Sequence, residues 1–131
     1  MKGLGGTVTV DAREFRDARN PADRVAGISL SVKETTGLER ENTSFIDSDE
    51  IDSLLSGLDY IAKASPDVTR LSNFEVEYRT KGNFSLVVFN GPNGQLSVAV
   101  TSGLIGKTTA YFKISELSKL RELITLAKVK I

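Results

Sequence analysis

Displaced against itself by 66 residues, the sequence matches itself without a gap. Leu30-Ser31-Val32 falls on Leu96-Ser97-Val98, Thr35 on Thr101, Gly37-Leu38 on Gly103-Leu104 and Thr43 on Thr109. Between 30–43 and 96–109, seven of 14 positions are identical. Outside that window Val10, Arg13, Glu50 and Leu54 fall on Val76, Arg79, Glu116 and Leu120. Phe45, Ile51 and Leu58 fall on the similar Tyr111, Leu117 and Ile124. An internal repeat fixes architecture before any local propensity does. The period is about half of the 131 residues, so the chain reads as two related units, 1–65 and 66–131, joined at Ser65-Pro66-Asp67. A unit of this size is marginal alone, which implies two halves sharing one core in a single compact domain.

The second unit is the easier to assign. Phe74, Val76, Tyr78 and Thr80 alternate with Glu75, Glu77, Arg79 and Lys81, the period-two pattern of a half-exposed strand. After Lys81-Gly82-Asn83, the apolar run Phe84–Phe89 reads as a more buried strand. The cluster Asn90-Gly91-Pro92-Asn93-Gly94 then predicts a turn. Leu96, Val98 and Val100 alternate on a third strand, and the Thr- and aromatic-rich stretch Thr108–Ile114 gives a fourth. Ser115 is placed to cap a helix carrying Leu117, Leu120, Ile124 and Ala127 on one stripe. The first unit repeats the scheme. Val8, Val10 and Ala12 form strand one, Ile28, Leu30 and Val32 a later strand, and Thr43–Ile46 the last. Asp49 caps a helix with Ile51, Leu54, Leu55, Leu58, Ile61 and Ala62 inward. Polar Arg16–Arg24, with Asn20-Pro21, occupies the place of Phe84–Phe89, so one strand is weakened or replaced by a long loop. The expected fold is α+β: two tandem repeats of about four antiparallel strands and one helix, with seven or eight strands in all.

This order of elements resembles the Whirly family and the related transcriptional-coactivator domains. The resemblance spans nearly the whole chain as element order, without the Whirly family's basic sequence motifs. It implies two paired units and a capacity to bind single-stranded DNA. Ser44-Phe45-Ile46-Asp47 through Leu54-Leu55, and Asn73 to Tyr78, also resemble small uncharacterised bacterial proteins, some carrying an export leader.

Composition narrows the chemistry. There is no Cys and no His, which removes thiolate metal sites, cysteine nucleophiles and the usual general base. Asp47, Asp49, Glu50 and Asp52 cluster, but the Gly and Glu positions of a twelve-residue calcium loop are not filled, so capping is the expected role. Gly106-Lys107-Thr108 ends like a phosphate loop, yet Thr101 stands where the first Gly belongs and a strand follows. The Thr-[Thr/Ser]-Gly-Leu element of both units is expected to be a turn with positive φ at its Gly. The reading is a non-enzymatic binding domain with no catalytic residue, metal or cofactor and no small-molecule site.

Basic and acidic residues balance at 17 each, but unevenly: 8 against 12 in residues 1–65, and 9 against 5 in 66–131. A protein partner or self-association is the first expectation. The charge split also allows contact between acidic Asp49, Glu50, Asp52 and Asp59 and basic Lys119, Arg121 and Lys128. A single-stranded nucleic-acid binder is the alternative, using Arg79, Lys81, Lys107 and Lys113 with Phe89, Tyr111 and Tyr78 as stacking platforms. Residues 1–6 hold no apolar stretch long enough for a leader, and no run approaches the ~18 apolar residues of a membrane span. The sequence thus reads as a soluble chain with no targeting signal of its own, and export stays open if a leader precedes these residues.

Overall fold

The computed structural model describes residues 1–65, 75–91 and 94–131. The joint at Pro66-Asp67, the position of Phe74 and part of the Asn90–Gly94 turn lie outside them. The first sheet contains β1 (Lys2–Gly3), β2 (Gly6–Asp17), β3 (Asn20–Glu34) and β4 (Arg40–Asp47), antiparallel and in that order. A 3₁₀ turn at Ser48–Glu50 leads into α1 (Ile51–Ala62). The second sheet, β5 (Glu75–Arg79), β6 (Phe84–Asn90), β7 (Leu96–Ser102) and β8 (Thr108–Lys113), repeats the arrangement. It ends in a 3₁₀ turn at Ile114–Glu116 and α2 (Leu117–Val129). The α+β tandem layout is therefore present with all eight strands.

The helices obey the 66-residue period closely. α1 buries Ile51, Leu54, Leu58 and Ile61, and α2 buries Leu117, Leu120, Ile124 and Ala127, four pairs at that spacing. Asp49 and Ser115 do not act as caps. Both fall inside the 3₁₀ turns, so neither side chain reaches a free helical N–H, and the α-helices begin after Glu50 and Glu116 without a side-chain cap.

The strands depart from the period. Thr43 lies opposite Ser31, and their hydroxyls hydrogen-bond at 2.7 Å. Its counterpart Thr109 lies opposite Thr101, hydroxyls 2.9 Å apart. Ser31 thus corresponds to Thr101, and the Leu30-Ser31-Val32 match to Leu96-Ser97-Val98 is four residues out of structural register. An even slip leaves every side chain on its own face, so alternation alone cannot detect it. The slip grows one strand further out. Val8, Val32 and Asn42 form one cross-strand row, and Phe84, Ser102 and Thr108 form the equivalent row. Val8, Val10 and Ala12 are therefore counterparts of Phe84, Leu86 and Val88, not of Val76 and its neighbours. No strand of the first unit is replaced by a loop. Arg16–Arg24 is the exposed end of the long β2–β3 hairpin, turning between Asp17 and Asn20. The true counterpart of β5 is the two-residue β1, hidden in the glycine-rich start. The positive φ expected at the repeated Gly is found at Gly37 (74°) and Gly103 (106°).

The inward rows of both sheets and the buried stripes of both helices make one continuous apolar cluster. Within it the helices cross over: α1 packs on β5 of the second unit, and α2 on β2 and β3 of the first. Two ion pairs span the helices, Arg121 to Asp59 at 2.7 Å and Lys128 to Asp52 at 2.5 Å, realising the acidic-to-basic contact within one chain. The first turn of each sheet closes the last strand of the other. Leu4 exchanges two 2.9 Å backbone hydrogen bonds with Tyr111 on β8. Gly82 sits so close to β4 that an added Cβ would lie 2.4 Å from the Phe45 carbonyl oxygen. Phe45 and Tyr111 are themselves 66 residues apart.

Gly57 is where α1 meets β5: a Cβ there would stand 2.5 Å from the Tyr78 ring. Gly→Ala in a helix interior ordinarily stabilises by up to about 1 kcal/mol. Here overpacking against Tyr78 dominates. Gly57→Ala is expected to lower the unfolding free energy by about 1–2 kcal/mol in urea denaturation, and a gain in stability would contradict the crossed packing.

Candidate interaction surface

With the helices on the inner side, the outward face of β5–β8 is partly open to solvent: Glu75, Glu77, Tyr111 and Lys113 are exposed, Val87, Phe89 and Ala99 are half-buried, and Ser85 is buried. Period-two alternation and the register place its side chains in cross-strand rows. One row runs Glu75, Phe89, Ser97, Lys113; the next runs Glu77, Val87, Ala99, Tyr111 and continues to Leu4 beside β8. A third holds Arg79, Ser85, Thr101 and Thr109. Phe89 and Tyr111 reach diagonally across β7 and meet edge to face, ring centroids 6.4 Å apart at 82°. Tyr111 is 44% exposed and Leu4 78%. Beside them a shallow cleft of about 420 Å³ is lined by Lys2, Leu4, Ser97, Tyr111, Lys113 and Glu116. The face thus has an apolar centre, carboxylates along the β5 side and ammonium groups along the β8 side.

The six candidates from the sequence divide. Phe89, Tyr111 and Lys113 come together on this face. Arg79 shares it but is bound at 3.0 Å to Glu77. Lys81 lies beyond the strand in the β5–β6 turn, where its backbone N–H donates to the Glu50 carboxylate at 3.0 Å. Lys107 lies in the β7–β8 loop, its carbonyl accepting from Arg40 at 3.4 Å. Tyr78 is on the opposite, inward face of β5, against Gly57, and its burial, with the charge of Glu50, raises its phenol above the usual value. Lys2 and Leu4 join the surface only because β1 docks beside β8, a placement that no periodicity in residues 1–6 signals. Gly3 permits that docking, since a Cβ there would meet the Phe112 ring at 2.5 Å.

The acidic cluster near α1 disperses into separate structural tasks. Asp47 accepts from Ser48, Glu50 from the Lys81 backbone and Asp52 from Lys128. Gly106-Lys107-Thr108 leads into β8, with Thr108 as its first residue. Among the described residues no group of three acidic side chains is arranged to hold a metal ion. None of the described helices is long and apolar enough to cross a membrane.

Among the described residues, three carboxyls are held below their ordinary range. Glu34 is lowered first by the Arg40 guanidinium and then by the Thr109 N–H that it caps on β8. Asp59 is lowered by Arg121, and Glu14 by Arg16 and Arg24. Glu14 is exposed and Glu34 and Asp59 are half-buried at the surface, so solvent screens each of them in part. No family model, curated protein or solved structure matches the chain.

Because these carboxyls ionise more readily in the folded chain than in the unfolded one, their contribution is complete above the unfolded value, about pH 4. It is lost as pH falls through the lower folded values. Urea midpoints measured from pH 7 downward should hold level to about pH 5 and then decline. Asp59→Asn should make that decline shallower. A midpoint that rises on acidification would contradict these pairings.

Proposed function

We propose that this protein is a non-enzymatic binding module, and that the outward face of β5–β8 is the surface it presents to a protein partner. The observation that carries the reading is the open row Val87, Ala99, Tyr111 and Leu4, with Phe89 against Tyr111, rimmed by opposite charges on its two sides. Aromatic residues at an apolar centre within a charged rim suit protein recognition.

Single-stranded nucleic acid is the second reading. It draws on the element order shared with the Whirly family and on Phe89, Tyr111, Lys113 and Lys2 as a partial stacking-and-phosphate surface. Against it, Glu75 and Glu77 occupy the same face, and Arg79 is neutralised by Glu77.

A photo-cross-linking residue in place of Tyr111, in cells that express the protein, tests the choice; position 60, exposed on α1, serves as control. Protein adducts from position 111 and none from position 60 are expected. Nucleic-acid adducts from 111 would overturn the protein reading in favour of the second, and no adduct from 111 would overturn both.

A further inference from the structure

We infer that the partner seated on this face is a second copy of the chain, packed sheet to sheet about a two-fold axis that runs parallel to the strands between β6 and β7. The inference rests on the reading of the face as a protein-binding surface and names its occupant. Such an axis lays β5 of one copy over β8 of the other and keeps each cross-strand row facing itself in reverse. The row Glu75, Phe89, Ser97, Lys113 then sets Glu75 against the Lys113 of the second copy, and the large Phe89 against the small Ser97. In the next row Val87 meets Ala99. The outer pair of that row sets Glu77 over Tyr111, so the match of charge lies in the Glu75–Lys113 pair and the match of volume in the Phe89–Ser97 and Val87–Ala99 pairs, the self-complementarity that an isologous interface requires.

An axis across the strands fails this comparison, because it sets Glu77 on its own copy and Tyr111 on its own copy. Among the described residues neither Glu75 nor Lys113 has an ion pair within the chain, so both are available across the interface. Aligned sheet faces pack in this manner in β-sandwiches, about 10 Å apart. Four strands spaced about 4.8 Å, each about six residues of about 3.4 Å, give a face of roughly 400 Å² in plan. That is a small interface, suited to a weak and exchanging dimer rather than an obligate one.

Sedimentation equilibrium of the full chain over a wide concentration range tests this. A reversible shift from 14.2 kDa toward twice that mass is expected. Glu75→Lys and Lys113→Glu, both at exposed positions, should each weaken dimerisation about tenfold. Mixing the two variants should restore wild-type association, because every 75-to-113 contact in the mixed dimer again joins opposite charges. A monomer at all concentrations would overturn the inference, as would a dimer indifferent to the single reversals or not rescued by mixing. If the chain stays monomeric while position 111 cross-links to a different protein, the second copy is excluded and the binding surface stands. If position 111 yields no adduct of any kind, the surface itself is excluded.

Discussion

The exchange of helices between the two units is the constraint on which everything else in this molecule depends. α1 belongs by sequence to the first unit but rests on β5, while α2 belongs to the second and rests on β2 and β3. Each helix makes its main sheet contact with the other unit, and the inward Val, Leu and Ile of both sheets join both helices in one apolar cluster. Burial of apolar side chains is the dominant favourable term in folding. When each half supplies the other's cover, that term becomes available only to both together. The buried hydroxyl contact between Ser44 on β4 and Ser102 on β7, 2.6 Å long, lies on the same seam. Each hydroxyl there satisfies the other, which makes the seam specific as well as apolar.

Edge strands follow the same logic. An unpaired sheet edge is a template for unwanted pairing. Here β8 is closed by Leu4 and by the Glu34 carboxylate on the Thr109 N–H, and β4 is approached by the β5–β6 turn at Gly82. Within each unit the two turns at that end of the sheet are also paired: Thr35 donates to the Gly5 carbonyl, and Gly103 to that of Asn83, each at 3.0 Å. Gly5 and Asn83 both sit at positive φ. These reciprocal contacts leave the outward sheet faces as the open surfaces. The two faces then diverge in chemistry. Where the second sheet has Phe89 and Lys113, the first has Arg13 and Asp47, and Phe15 packs on Phe45 at 5.2 Å. A duplicated scaffold thus carries two different surfaces.

Much of this was legible in the residues, for definite reasons. The helix stripes, Leu54 with Leu120 and Leu58 with Ile124, survive at one spacing because a helix has no register partner to slip against. The strands of the second unit are plain because Leu96, Val98 and Val100 alternate cleanly against polar neighbours. The equivalence of strands between units was not legible, since a slip of four residues preserves alternation and even aligns Leu-Ser-Val with Leu-Ser-Val. β1 was hidden because two residues carry no period. The candidate surface was half visible: Phe89, Tyr111 and Lys113 are all outward on neighbouring strands. Lys81 and Lys107, one residue type with Lys113, were separated from it by turns whose geometry only the paired sheets define.

Separating the halves tests the crossed packing most directly. Residues 1–65 and 66–131 would be produced as two polypeptides and followed by circular dichroism and urea unfolding, alone and mixed at equal concentration. Crossed helices predict that each half as a monomer lacks a cooperative transition, and that mixing restores the sheet-and-helix spectrum and a single unfolding step. A half that unfolds cooperatively by itself as a monomer would show that it holds its own core, and would contradict the account.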